Sequence, residues 1–497
     1  NRKPMRAKYA RYLTAWMGGG QPGEAATAGP RRLAANVGAQ LLARVATMAI
    51  SVVTVSLTAR TLGRAGYGVW SGASSFVGLF SVLIDLGFVN AATQRMAAEP
   101  QREARWLGAL ALSLVVQTTL ALLLVLGLVP LVLRETHSSR LVAAILATTL
   151  LASAAQALMA VFHSRLRAPL VLTLNVFQSL LWMVATVALA LAHGSVVAFA
   201  AAYSSILLGV AALRLRLTRS RAHVDLRGGR ALWRELSAVA IPLGVASIFI
   251  SVYYQIDSVL LLQLRGARET GVYGAAYNFL SPLNFLPAAV MSSFMPVIAA
   301  VKGSDPQRSR QLIGRAAELM AAIGLGVVAV GYALSGPLVS LLFGQAFHRA
   351  ATLLPIVLIA FASICFGSLA GYLAPVFALQ KRLALYSAFG AVVNAALNAA
   401  LIPAYGATAS AWITVGTELL TMGLMLTAVL RRSGARLPLA RLARIVALAA
   451  VLAAVLFAGR PLGLFGDGAL GALLYLFGLV VVGVVPARRL RELVAGP

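Results

Sequence analysis

Acidic residues are scarce in this chain: 14 Asp and Glu in 497 residues, set against 42 Lys and Arg. Charge of either sign is sparse too, at 11% of positions, which excludes an ordinary soluble surface. A single cysteine, Cys365, lies in an apolar run. With no second thiol, neither a disulfide framework nor a thiolate metal site is available, and Cys365 reads as packing. There is no glycine-rich phosphate loop of the Walker type and no visible nucleophile–base constellation. The five histidines, His137, His163, His193, His223 and His348, are scattered without metal-ligand spacing.

What is abundant is hydrophobicity. Sixty per cent of the residues are hydrophobic, and runs of about 20 apolar residues recur from end to end, as a membrane-crossing helix requires. The expected spans are 33–58, 67–91, 107–133, 141–162, 169–192, 195–213, 236–262, 273–299, 316–343, 351–378, 383–402, 406–430, 444–459 and 468–486. Fourteen spans make this an all-α polytopic membrane protein. The hairpins 169–192/195–213 and 444–459/468–486 have the shortest turns, and a missed hairpin would change the count by two.

The net charge of +28 acquires its meaning from its distribution. The two termini and the loops on their side of the membrane carry 33 Lys and Arg. The opposite loops carry only Arg60, Arg64, Arg134, Arg140, Arg265, Arg268, Arg349 and Arg460. One more, Arg44, falls inside the first span. This alternation is the positive-inside bias and predicts cytoplasmic termini. RLRLTRSRAHVDLRGGRALWR, residues 214 to 234, reads as a basic cytoplasmic connector beside anionic headgroups, not a nucleic-acid patch. Residues 1–32 are basic and then Gly/Pro/Ala-rich, without an apolar core of their own, and read as a cytoplasmic tail.

A repeat lies within the pattern. TLGRAGYGVW, residues 61 to 70, returns in altered form as LRGARETGVYGAAY, residues 264 to 277. Both copies fall on the outer side, after the first and the seventh span. A six-helix block is therefore written twice, over 33–213 and 236–430, with connector 214–235 between them and 431–497 supplying two extra helices and a tail. Because six is even, the two lobes run parallel. Gly66 and Gly68, and Gly271 and Gly274, are expected to permit tight reversals and, with Arg64, to sit where an outer gate closes, with Tyr67 and Tyr273 suited to the interface belt.

The segment TLGRAGYGVWSGASSFVGLFSVLIDLGFVNAATQR resembles the start of the polysaccharide (O-antigen type) flippases, with a basic-Gly turn, a Tyr-Gly pair and the Asp-Leu-Gly element Asp85, Leu86 and Gly87. IPLGVASIFISVYYQIDSVLLLQLRGARETGVYGAAYNFLSPLNFLPAAVMSSFMPVIAA resembles the opening of their second half, with Pro242, Asp257, Gly271, Tyr273 and Ala276 in place. The likeness covers most of residues 33 to 430. Such proteins belong to the multidrug/oligosaccharidyl-lipid/polysaccharide exporter superfamily. The resemblance implies two six-helix lobes around a cavity that opens alternately to either side. The implied cargo is a polyprenyl-diphosphate-linked glycan, and the implied location is the bacterial inner membrane. Fourteen spans are similar to the peptidoglycan lipid-precursor flippases, whose extra pair forms a groove for the lipid tail.

Polar groups deep in the membrane are the site candidates, since burying a charge there costs roughly 2.5 to 3.5 kcal/mol on insertion scales. Arg44, near mid-span, is expected either to bind the diphosphate or to pair with Glu418; the family favours the first. Glu418 is expected either to carry a coupling proton or to neutralise Arg44. Asp85 and Glu318 are expected to be structural or capping, with Asp85 kept beside Glu418 as a coupling or ion-pair candidate. Asp257 is expected either to pair with Arg265 or to gate the cavity. Asn394 and Asn398 share one face of their helix; Asn278 and Asn284 flank Pro282, a bendable position. With Tyr253, Tyr254 and Gln255, the polar faces of spans seven, eight and eleven, Asn278, Asn394 and Asn398 among them, are expected to line the cavity and touch sugar, as is Asp257. Interhelix glue is the ordinary alternative for these polar residues.

No catalysis, no resident cofactor and no metal are expected; coupling to a proton or sodium gradient is left open. A membrane glycosyltransferase or polymerase finds no room in outer loops of about ten residues or fewer. A multidrug and toxic-compound extruder is the second transporter reading, disfavoured by a first-helix arginine, because its cargo is usually cationic. The expected partners are the lipid-linked glycan, membrane lipids and polysaccharide polymerase machinery, with no nucleic acid; the protein is expected to be a monomer.

Overall fold

The computed structural model describes residues 30–133, 137–165, 168–458 and 463–484. The expectations for the N-terminal tail, Arg134, Arg460 and the last 13 residues lie outside that set, as does the side chain of Pro242. Among the described residues the helices are α1 Pro30–Asp85, α2 Phe88–Ala98, α3 Glu103–Val132, α4 His137–Ala147, α5 Thr149–Ala157, α6 Ala160–Ser164, α7 Ala168–Leu191, α8 Val196–Arg221 and α9 Leu226–Arg265. They continue with α10 Ala267–Tyr277, α11 Leu280–Leu283, α12 Phe285–Val301, α13 Pro306–Phe343, α14 Ala350–Val376, α15 Gln380–Tyr405, α16 Ala407–Ser433, α17 Leu439–Ala458 and α18 Gly463–Val481. No strand interrupts them among the described residues.

Twelve helical stretches there are long and apolar enough to cross a membrane. The first, Arg44–Ala98, has 55 residues, which at 1.5 Å per residue is about 80 Å. That is more than twice the hydrocarbon thickness of about 30 Å. It therefore holds two crossings, and the shorter apolar helix Gly466–Val481 completes the fourteen.

The chain divides into two compact units, Asn1–Leu62 with Val69–Gln255, and Gly63–Gly68 with Ile256–Pro497. The boundary falls inside α9, so the connector and the first part of the seventh span go with the first unit.

In the first unit, helix breaks carry their own repairs. The Asp-Leu-Gly element ends α1, with Leu86 at φ 36° and Gly87 at φ 76°. There the Asp85 carboxylate accepts from the Val89 backbone N–H at 3.3 Å, capping α2 as a structural acid would. In the fourth span the Thr148 and Thr149 hydroxyls donate back to the Ile145 and Leu146 carbonyls at 2.7 and 2.6 Å, the kind of back-bonding that bends helices.

The basic connector is largely helical. α8 continues to Arg221, α9 begins at Leu226, and the Asp225 N–H donates to the Ala104 carbonyl at 3.0 Å. Trp233 Nε1 donates to Ser113 Oγ at 3.0 Å, and Arg95 pairs with Glu235 at 2.8 Å. Arg165 donates to Glu103 and to the Arg221 carbonyl; that carboxylate holds the Arg165 guanidinium above its usual pKa. Arg214, the first residue of the basic connector, is 1% exposed inside α8. Its guanidinium donates to Asn175 Oδ1 at 2.9 Å and Gln156 Oε1 at 3.4 Å.

In the second unit the extra helices dock on α13. Ala322 and Ala329 pack with Ile445, Leu452, Leu456, Tyr475 and Leu479. Tyr475 donates to the Ala322 carbonyl at 2.7 Å, and Arg441 holds Glu318 at 3.0 Å. Glu318 thus has the structural role expected of it, and Cys365 is fully buried in α14, as packing should be.

The repeated turns are built differently from expectation. The chain reverses at Gly63 (φ 63°, ψ −177°) and Gly266 (φ 83°, ψ 173°), not at Gly66, Gly68, Gly271 or Gly274, which are all helical. Side-chain-bearing residues avoid that backbone region at a cost of about 1–3 kcal/mol. Nothing lies within 4 Å of a Cβ built on Gly63, so conformation alone would penalise a substitution. Gly63→Ala should therefore lower stability by about 1–3 kcal/mol in thermal unfolding of the purified protein; an unchanged midpoint would show that the reversal tolerates any residue.

Candidate functional site

The second unit encloses a cluster of polar side chains drawn from four helices: Asp257 of α9, Tyr273 of α10, Asn394 and Asn398 of α15, and Ser410, Thr414 and Thr417 of α16. All are buried, at 5% exposure or less. Each arrives by helical spacing. Asn394 and Asn398 are four residues apart, as are Ser410 and Thr414, so each pair projects from one face.

The bonds run continuously. Tyr273 Oη donates to Asp257 Oδ2 and lies 3.4 Å from Thr414 Oγ1. Asp257 Oδ1 accepts from the Ser258 N–H at 2.7 Å. Thr414 donates to the Ser410 carbonyl at 2.9 Å, and Ser410 Oγ donates to Asn398 Oδ1 at 2.8 Å. Asn398 Nδ2 donates to the Asn394 backbone carbonyl at 2.9 Å and to Asn394 Oδ1 at 3.1 Å. Asn394 Nδ2 reaches Thr417 Oγ1 at 3.2 Å.

Asp257 makes no ion pair among the described residues. The partner expected for it, Arg265, instead donates to the Pro403 carbonyl at 3.3 Å. A carboxylate at 1% exposure, answered only by hydroxyl and amide groups, is costly as a bare anion. It fits a site that is neutral when it holds a proton, or a cation accepted by one carboxylate and several neutral oxygens. No group of three or more His, Cys, Asp or Glu exists among the described residues, so this donor set is poor in charge for a divalent ion.

The repeated turns meet beside this cluster, within the same unit. A Cβ on Gly68 would fall 1.7 Å from the Ala267 carbonyl oxygen, and one on Gly271 would fall 2.0 Å from that of Arg64. These two glycines are contact points where backbones touch. The tyrosines assigned to the membrane interface are buried as well, Tyr67 at 2% and Tyr273 at 0%. Tyr67 Oη accepts from Asn278 Nδ2 at 2.7 Å, and the same amide nitrogen donates to the Gly274 carbonyl at 2.7 Å. Asn278 thereby ties Tyr67 to the end of α10, where the eighth span divides into α10, α11 and α12. Asn284 joins the latter two, the bend expected around Pro282.

The profile of the polysaccharide biosynthesis protein family matches residues 33–302, more than half of the 497. The chain belongs to that family. A second profile, MatE, matches residues 242–400. The fold resembles that of the lipid II flippase MurJ in its inward closed conformation, with a TM-score of 0.68 at 12% identity over 91% of this chain and 99% of that one. An inward-facing multidrug resistance MATE family transporter of the MOP superfamily gives 0.64 at 12% identity over 78% and 94% of the two chains. A mutant of the Vibrio cholerae MATE transporter VcmN gives 0.53 at 15% over 79% and 94%. At such identities the likeness is one of fold. No curated protein matches the chain.

Of the expected site residues, the second unit thus brings together Asp257, Asn394 and Asn398 in the cluster, with Asn278 at the neighbouring turn contact. Glu418, one residue after Thr417, is buried at 5%. In the first unit Arg44 is exposed on α1 and Asp85 at its end, while Tyr253 and Tyr254 stack edge to face at 5.3 Å. Tyr273 of the cluster is one of the tyrosines that sequence alone suits to the interface belt, and nothing in composition marks Ser410, Thr414 and Thr417. Their i, i+4 and i, i+3 spacing with Glu418 on one helix face was the available signal.

Asn398→Ala should cost about 1–3 kcal/mol, because it strips the Ser410 hydroxyl of its acceptor in a buried site. Thermal unfolding in detergent measures this, and a shift no larger than that of an exposed control would deny the cluster a buried network.

Proposed function

We propose that this protein is a flippase that carries a polyprenyl-diphosphate-linked oligosaccharide from the inner to the outer leaflet of a bacterial cytoplasmic membrane, by alternating access, for cell-surface polysaccharide synthesis. The observation that carries the reading is membership of the polysaccharide biosynthesis protein family over residues 33–302. A likeness of fold adds support. The lipid II flippase covers 91% of this chain, whereas the two extruders cover 78% and 79%.

In this reading Arg44 is the diphosphate ligand, since a guanidinium offers paired N–H donors to phosphate oxygens and keeps its charge in an apolar setting. It is exposed, as a ligand for entering cargo must be. The lipid tail stays in the bilayer. Asp257 carries the coupling charge: a proton or a sodium ion drawn from the gradient neutralises it, and its release restores a buried anion that the surrounding hydroxyls and amides have to absorb. That difference biases the conformational equilibrium. Asp257→Asn keeps the shape and removes the charge. It should make transport in proteoliposomes insensitive to imposed proton and sodium gradients; a retained gradient dependence would take coupling away from Asp257.

The MatE match over residues 242–400 favours a second reading, a cation-coupled extruder of the multidrug and toxic-compound type. Mass spectrometry of polyprenyl lipids in the source organism separates the two. Deleting the gene should cause one diphosphate-linked oligosaccharide to accumulate, reversed by the intact gene and not by Arg44→Ala. An unchanged lipid profile together with new sensitivity to cationic drugs would instead establish the extruder.

A further inference from the structure

Helices α15 and α16 form a cleft of about 470 Å³ in the second unit, lined by Arg382 and Tyr386 of the former and Gly423, Leu424, Thr427 and Arg431 of the latter. Its residues form a graded ladder. Arg382 lies two residues into α15 and Arg431 two before the end of α16, so both cations stand at the same end, on the Lys/Arg-rich side of the chain. One turn deeper come two hydroxyls, Tyr386 and Thr427, each four residues from its arginine. Deeper again, the lining becomes glycine and leucine. From Arg431 back to Leu419, the last leucine of the wall, is about 18 Å of helix rise, close to the depth of one leaflet.

The positive-inside bias accounts for basic residues at these ends, and the helix dipole for Arg431. It does not account for a cleft beneath them. Neither arginine makes an ion pair among the described residues, and no acid lines the cleft. Gly423 keeps the deep part open: a Cβ built there meets nothing within 4 Å.

We propose that this cleft is a binding site for an anionic glycerophospholipid of the bilayer. The phosphodiester lies between Arg382 and Arg431, the ester region faces Tyr386 and Thr427, and one acyl chain runs past Gly423 along the leucines. Two cations without a neighbouring carboxylate select a net-negative headgroup over a zwitterionic one. The lining shares no residue with the Asp257 cluster, and the site does not depend on which cargo the protein moves.

Native mass spectrometry of the purified full chain in detergent, with phosphatidylglycerol and phosphatidylcholine added in equal amounts, tests the assignment. Phosphatidylglycerol should be retained in preference. Arg382→Gln and Arg431→Gln should each weaken it on the order of fivefold. Gly423→Leu, which projects into open space, should displace the lipid without lowering the thermal unfolding midpoint. Equal retention of both phospholipids, or phosphatidylglycerol binding unaltered in all three variants, would overturn the proposal. Displacement of phosphatidylglycerol by an equimolar polyprenyl phosphate would also overturn it, assigning the cleft to the cargo lipid.

Discussion

Hydrocarbon offers no hydrogen-bond partner, so every interruption of a membrane helix and every polar side chain at depth has to be answered from within the protein. Much of the distinctive detail in this chain follows from that constraint. Asp85 answers the amide freed by the Leu86–Gly87 break, and the Asn278 side-chain amide bridges the Tyr67 hydroxyl and the Gly274 carbonyl. Arg214, a full charge buried in α8, is held by two side-chain amides. Breaks and charges sited in this way are the costly features of a membrane fold, which is why they point to function more reliably than the surrounding apolar helix.

The same constraint explains how far the sequence could be read. Crossing a membrane demands runs of about 20 apolar residues, and nothing else in a chain looks like that, so the fourteen spans were legible from hydropathy and charge. Which glycine turns the chain was not. Gly63, Gly66 and Gly68 are alike in sequence, and only tertiary contact separates the one that reverses the backbone from Gly68, against which α10 packs. Tyr67 and Tyr273 were misplaced for a related reason. Tyrosine is common at membrane interfaces, but a phenol is equally at home in a core that supplies Asn278 or Asp257 as its partner. Arg214 counts in a tally of charges as one more cation of the basic connector, and such a tally cannot see Gln156 and Asn175 on neighbouring helices.

In the candidate site, Asp257, Asn394 and Asn398 stood out as polar residues in apolar runs, yet sequence gave no means of joining them. Their association depends on α9, α10, α15 and α16 packing so that four separate polar faces coincide. The serine and threonines that complete the network are ordinary in transmembrane helices, and only the bonds they make distinguish them. A buried carboxylate surrounded by neutral oxygens is well suited to a charge that comes and goes. A permanent ion pair would have locked it in one state.

Family membership and fold set the class of the protein, while cargo and coupling rest on individual residues. The most direct measurement is translocation itself: purified protein in sealed proteoliposomes, a short-chain polyprenyl-diphosphate oligosaccharide in one leaflet, and a membrane-impermeant glycosidase outside to report arrival in the other. The account predicts protein-dependent transfer that an unlabelled lipid-linked glycan competes away and a cationic drug does not. Transfer no faster than in empty liposomes, alongside protein-dependent efflux of a cationic dye, would contradict it.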